Sequence, residues 1–285
     1  MKAGNCAVKV FLCFFLSFVL FSSPGQAREQ KEHDPWVGQE GKDVPWVPSE
    51  QVLVEVMLDM AAVTPEDYVI DLGSGDGRIV IAAAKRGARA HGIEYEGDMV
   101  EYSRRNAARE GVDDRATFAR MDIFETDLSE ATVVTMFLLP KLNLKLRPSI
   151  LGLKPGTRVV SNTFDMEDWR PDQTVRLLDN CVGYCIAHLW IVPAKVEGAW
   201  RLDQGELIIK QEFQVISGAL ESAGGKVPVK GKLKGNAITF ETEGVQYTGT
   251  VTGDSMKGCL GGNGSGRWSA TRIVPMRTEE RRRTP

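Results

Sequence analysis

The chain has 285 residues, with 42% hydrophobic and 26% charged side chains. That suffices for one ordinary domain plus a small second one, and it is too polar for a multi-span membrane protein. Lysine and arginine total 35 against 38 acids, a net charge of −3. A protein that tracks phosphates needs a positive surplus, so a nucleic-acid partner is not expected. Three histidines and five cysteines leave few ligands, and no metal site is expected.

Lys2 and Lys9 precede a 12-residue apolar run, Val10 to Phe21, and then Ser22-Ser-Pro-Gly-Gln-Ala27. These are the three zones of a secretory signal, with Gly25 and Ala27 as small residues before a cut. The expectation is an exported, periplasmic or secreted protein. An uncleaved N-terminal membrane anchor is the alternative. Cleavage leaves Cys181, Cys185 and Cys259. Cys181 and Cys185 are close enough to pair across a turn, but the simpler expectation is two small core residues flanking a hairpin. Residues 28–45 are polar, contain Pro35 and Pro45, and read as a linker.

Ser49 is placed to cap a helix whose apolar positions run Val52, Leu53, Val56, Met57 and Met60. Strand and helix then alternate. Strands are expected at Tyr68–Asp71, Ala90–Glu94, Ala116–Asp122, Ala131–Leu139 and Thr157–Phe164. Helices are expected at Ile79–Lys85, Asp98–Glu110 and Lys141–Leu151. This order implies right-handed crossovers and a mostly parallel sheet. Thr174–Leu178 and Ile186–Val192 are separated only by a turn and should pair antiparallel. They complete a Rossmann-like α/β sheet of seven strands.

The chemical signal is Asp71-Leu-Gly73-Ser74-Gly75-Asp76-Gly77. Glycines after a buried strand allow a sharp turn and close approach of a ligand to the backbone. Glu94 ends the second strand, where an acid can hold ribose hydroxyls, and Asp122 ends the third. A dinucleotide fingerprint has glycines at positions one, three and six. Here they fall at one, three and five, and the sixth is Arg78.

Together these residues resemble a class I S-adenosylmethionine-dependent methyltransferase over roughly residues 46–193, which implies a methyltransferase domain at 46–195. A closer resemblance is to the ATP synthase c-subunit lysine N-methyltransferase family. It rests on Val44-Pro-Trp-Val-Pro-Ser49, the run Asp71 to Lys85, Tyr102-Ser-Arg104, Arg109-Glu-Gly-Val112 and Trp169-Arg-Pro-Asp172. The resemblance implies S-adenosyl-L-methionine as cofactor. Asp71, Gly73 and Gly75 would line its methionine part, Glu94 would bind its ribose and Asp122 its adenine end, with Ser74 and Asp76 as further cofactor-binding candidates. Asp76 equally suits a helix cap. The implied activity is in-line methyl transfer to a protein lysine or other amine. The alternatives are a small-molecule methyltransferase and a non-catalytic exported binding protein.

Related amine methyltransferases carry Asn/Asp-Pro-Pro-aromatic after the fourth strand. This chain has Phe137-Leu-Leu139-Pro140, with no side-chain acceptor. Phe137 and Trp169 are the catalytic-side candidates. Trp46, Leu139 and Pro140 are the candidates for lining the substrate path.

From residue 196 to 274 the texture changes. Glycines are dense and alternation has period two, as in Ile238-x-Phe240 and Val245-x-Tyr247. Turn signals recur every 8–12 residues. We expect a small antiparallel module of seven or eight strands, a barrel or a sandwich. It is either structural or a holder of substrate or lipid. Residues 275–285, with Arg281-Arg-Arg283, read as a disordered tail. The methyl acceptor and the oligomeric state are not legible.

Overall fold

The computed structural model describes residues 34–273. The expected signal segment, the first part of the expected linker and the expected tail lie outside the described residues.

Helix α1 (Gln51–Met60) precedes strand β1 (Tyr68–Leu72). Then come α2 (Arg78–Lys85), β2 (Arg89–Glu94), α3 (Gly97–Arg109), β3 (Ala116–Arg120), β4 (Val133–Met136), α4 (Pro140–Ile150) and β5 (Arg158–Asn162). The hairpin β6 (Gln173–Arg176) and β7 (Ile186–Ile191) closes the sheet. The seven strands lie in the order β3-β2-β1-β4-β5-β7-β6. Strands β1 to β5 run parallel, whereas β7 is antiparallel to β5 and to β6. The alternating α/β pattern and the terminal hairpin are as the sequence implied.

Side chains alternate across the sheet. Val69, Val133 and Val160 pack under α1, α2 and α3, while Ile70, Val134 and Val159 pack under α4. Both faces are therefore buried, as a parallel sheet requires. Each fully buried branched aliphatic contributes about 1.5–3 kcal/mol. At the sheet's amino edge, the buried Asp67 carboxylate meets the Arg158 guanidinium and the Thr132 hydroxyl. The arginine hydrogen bond helps to hold that carboxyl below its usual range against the cost of burial.

Several local expectations are corrected. Glu50, not Ser49, is the N-cap of α1, and it makes no side-chain cap bond. The Ser49 hydroxyl is buried and accepts from the Asn162 amide, 2.9 Å away. Strand β1 extends one residue past Asp71. Strand β3 stops at Arg120, so Asp122 sits in the following loop. Cys181 and Cys185 are joined by a disulfide, with α-carbons 5.8 Å apart. The four-residue separation brings them within the reach of such a bond across the β6–β7 turn.

Residues 34–45 are not a free linker. The Gly38 N–H donates to the Trp46 carbonyl at 2.8 Å, and the Trp46 N–H donates to the Gln39 carbonyl at 2.9 Å. This knots the segment into a strap, and Lys42 binds Asp122 across 80 residues of sequence.

The C-terminal module resolves as a barrel. Strands β8 (Gly198–Leu202), β9 (Gly205–Glu212), β10 (Val215–Ser222), β11 (Gly225–Lys234), β12 (Ala237–Thr242), β13 (Val245–Thr252), β14 (Ser255–Gly262) and β15 (Arg267–Arg272) close by pairing β15 with β8. Trp200, Phe240, Tyr247, Met256 and Trp268 fill its interior. Phe240 and Tyr247 stack at 4.5 Å, and Trp268 meets both edge-on.

The barrel docks on the α4 side of the sheet. Phe213, in the β9–β10 turn, stacks on Trp169 at 5.8 Å and 15°. Gln214 donates to the Arg170 carbonyl at 2.7 Å, and the Ala194 N–H to the Gly235 carbonyl at 2.9 Å. Trp169 is fully buried, and its carbonyl accepts from the Trp190 indole at 2.7 Å. It is a core residue at the junction of sheet and barrel. Trp169→Ala should cost about 3–5 kcal/mol in denaturant unfolding. Phe213→Ala added to it should cost less than its separate effect, because the two rings share one contact. Strict additivity would refute that coupling.

Candidate active site

The parallel strands end together, and the loops that follow β1, β2, β3 and β4 surround one cleft. It is open on one side to solvent. It lies where open α/β sheets bind ligands, outside the carboxyl ends of the strands.

Its floor is the glycine turn. Gly73, Gly75 and Gly77 have φ of 76°, 53° and 82°, a region that side-chain-bearing residues rarely adopt. A β-carbon on Gly75 would lie 2.5 Å from the Trp46 indole nitrogen. One on Gly77 would lie 2.8 Å from the Phe118 ring, so Gly77 lets α2 seat against α3 and β3. The Gly73 and Ser74 N–H groups both donate to the Ile93 carbonyl, tying the turn to β2.

Asp71, Glu94 and Asp122 all border the cleft, each in a different setting. Asp71 is buried, and among the described residues its carboxylate accepts one hydrogen bond, from the Thr135 hydroxyl on β4 at 2.6 Å. Burial pushes its carboxyl up to about 7. Thr135 opposes this, and the charges of Glu94 and Asp76 add to it. Glu94 accepts from the Gly75 N–H at 2.9 Å and from the Tyr95 and Glu96 N–H groups at 2.7 and 3.0 Å. The Glu94 carboxylate is thus fixed in orientation, with lone pairs left for a ligand's hydroxyls. Asp122 pairs with Lys42 at 2.6 Å and accepts from the Phe124 N–H at 2.9 Å. The Lys42 ammonium, more than that N–H, holds the Asp122 carboxyl below the usual range.

Of the remaining sequence candidates, Trp46 and Phe137 line the cleft. Asp76 borders it too, but its carboxylate is engaged by Arg78 at 2.6 Å, and Arg78 reaches on to the Ser49 carbonyl. The Ser74 hydroxyl is buried without a hydrogen-bond partner among the described residues, close to Gly92. Leu139 caps α4 and Pro140 opens it, and neither borders the cleft; Leu138 and Leu142 do. Trp169 lies in the core, as described above. Lys42, Tyr95, Met99, Ile123 and Thr135 escape the sequence reading. Nothing in a polar stretch marks Lys42 as a cleft residue. Thr135 follows from strand pairing, because it stands opposite Asp71 in the β1–β4 register.

A cationic nucleoside fits this lining. Asp71 is an under-partnered buried carboxylate, a cost that a nearby positive charge offsets. Glu94 accepts hydroxyls, and the glycine turn leaves room for backbone approach.

Comparison with known proteins agrees. The model of the ANTKMT methyltransferase domain matches residues 71–173. A protein-lysine N-methyltransferase of Saccharolobus islandicus is 41% identical over 152 residues, which is 52% of this chain and 94% of that protein. The human ATP synthase c-subunit lysine N-methyltransferase is 37% identical over 130 residues, 45% of this chain and 55% of that one. This chain thus spans about half the length of the human protein. Among solved structures, an RNA methyltransferase from Salinibacter ruber, in complex with S-adenosyl-L-homocysteine, is 47% identical with a TM-score of 0.50. The match covers 53% of this chain and 96% of that one.

The chain belongs to the S-adenosylmethionine-dependent methyltransferases. Within them it is a member of the family that includes the Saccharolobus protein-lysine enzyme. It is a methyl-transferring enzyme, and S-adenosylmethionine is its cofactor.

The Asp71 shift has a signed consequence. Its ionised form costs the empty protein stability as pH rises from the unfolded value of 3.8 through about 7. A bound cation restores ionisation. Cofactor affinity measured by calorimetry should therefore fall as pH drops below about 7, by up to about tenfold per unit. Asp71→Asn should flatten that dependence and stabilise the empty protein above neutral pH. An equally steep profile in Asp71→Asn would assign the titration to another group.

Proposed function

We propose that this enzyme N-methylates a lysine side chain of a protein. The observation that carries this reading is the wall of the cleft beyond β4. It presents Phe137 and Leu138 rather than a charged or metal-ligating group. Such a wall suits an uncharged amine nucleophile with a methylene stem. The named activities of the Saccharolobus and human relatives support it.

When bound, the cofactor supplies a methyl group activated by a positive sulfur. The protein's part is alignment and exclusion of water. Asp71, Glu94 and Asp122 would hold the methionine, ribose and adenine portions. Trp46 and the strap cover the glycine turn. A free lysine must lose a proton before its nitrogen can attack, and at pH 7 that costs about 4.6 kcal/mol from a pKa of ~10.4. The apolar surface of Phe137 and Leu138 favours the neutral amine by desolvation. Phe137 and Leu138 would hold the neutral nitrogen and its methylene stem in line with the methyl group that the bound cofactor would supply.

In the small-molecule alternative the barrel closes over the acceptor. Among the described residues, no barrel side chain lines the cleft, which counts against it. The excess of acids counts against an RNA acceptor. We also read the chain as exported through residues 1–27, or anchored by them. The Cys181–Cys185 disulfide supports an oxidising compartment.

Labelled-methyl transfer into a membrane-plus-soluble extract tests the function. The expected product is methyl-lysine on a protein, and label confined to RNA or to small molecules would overturn it. Glu94→Ala should weaken cofactor binding by about 10- to 100-fold, the worth of hydrogen bonds to a charged group. Calorimetry reads that loss without any acceptor.

A further inference from the structure

The exit of β5 holds unused polar capacity beside the cleft. Asn162 is fully buried. Its amide nitrogen donates to Ser49, which lines the cleft, yet its oxygen has no hydrogen-bond partner among the described residues. The Thr163 hydroxyl is likewise buried and unpartnered. Thr163 has a φ of 59°, unusual for a β-branched residue. This backbone is held from four sides. The Thr163 N–H donates to the Ile186 carbonyl at 2.7 Å, and His188 donates to the Thr163 carbonyl at 3.2 Å. The Phe164 carbonyl accepts from the Ser161 hydroxyl at 2.6 Å and from the Asn143 amide at 3.1 Å. Buried oxygens on so fixed a frame, left without donors, point to a donor brought by a ligand.

An aromatic wall adjoins them. Phe137 borders the cleft, Phe164 stacks on its ring at 6.1 Å, and Tyr184 lies 5.1 Å from Phe137 and 5.9 Å from Phe164. Tyr184 comes from the β6–β7 turn. Because β7 runs antiparallel to β5, that turn falls at the carboxyl edge of β5. The Cys181–Cys185 disulfide closes the turn around Tyr184, which remains partly exposed. Aromatic faces attract cations, and their breadth suits a methylene chain.

We propose that the β5 exit and this disulfide-closed turn form the acceptor subsite, which receives a primary alkylammonium chain before its nitrogen loses a proton against Phe137 and Leu138. The Asn162 amide oxygen accepts from the nitrogen, Phe137 and Phe164 enclose the methylenes, and Tyr184 faces both the methylenes and the ammonium. The disulfide serves as the positioning element for Tyr184. The inference rests on the amine-acceptor reading above and adds the residues that receive the amine.

The test uses the full chain saturated with S-adenosyl-L-homocysteine and two probes of similar size, n-butylammonium and neutral 1-pentanol, titrated by ligand-observed magnetic resonance. The cation should bind more tightly than the alcohol. Tyr184→Ala should weaken the cation by about 3- to 30-fold, the span of a cation–π contact, and Tyr184→Phe should restore it. The paired change Cys181→Ser and Cys185→Ser should act in the direction of Tyr184→Ala. Asn162→Leu should remove the preference for the cation over the alcohol; should that variant not fold, the variants of the exposed Tyr184 decide. Homocysteine-nucleoside affinity should stay unchanged in the Tyr184 variants. Equal binding of the two probes, or no loss in Tyr184→Ala, with normal nucleoside binding, overturns this subsite alone. Failure of the unaltered protein to bind the nucleoside overturns the cofactor site and the subsite with it.

Discussion

A single buried charge organises this enzyme. Asp71 sits near the end of β1, inside the sheet, almost wholly buried and hydrogen-bonded to the Thr135 hydroxyl. Everything around it makes that position tenable or useful. The glycine turn clears space beside it, Thr135 supplies the hydrogen bond, and Glu94 and Asp76 keep the local potential negative. An empty cleft of this kind is unfavourable for the protein and favourable for a cation. The energy spent on holding the carboxylate there is recovered when a positive ligand arrives.

The strap changes what the cleft is. Without residues 39–46 the glycine turn would be an open ledge. With them, Trp46 lies on Gly75 and Lys42 crosses to Asp122. The third carboxylate is therefore already neutralised by the protein's own cation, whereas the first is not. Two acids that look alike in the sequence thus carry opposite electrostatic states, set by what reaches them from a distant segment.

That contrast marks where sequence reading succeeds and where it stops. Elements governed by local pattern are legible. Val69-Ile70 and Val159-Val160 alternate between two buried faces, the glycine turn follows its strand, and β6 and β7 are too close in sequence to pair any other way. The eight-stranded count of the barrel can be read only as a range, because closure depends on β15 finding β8 some 70 residues away. Trp169 is indistinguishable from a site residue in the sequence, and only the Phe213 ring that covers it places it in the core. Lys42 sits in a polar stretch whose composition says linker, and only the tertiary contact with Asp122 gives it a role. The disulfide is faint in the sequence for the same reason: spacing permits it, but the geometry of the turn decides.

Because the barrel's opening and closing strands are neighbours, the polypeptide enters and departs at one seam. Trp200 lies opposite Arg272, and the Ile273 N–H reaches back to the Ala199 carbonyl. Among the described residues the module joins the sheet by one covalent junction, near Ala194, and Phe213 packs against Trp169 beside it.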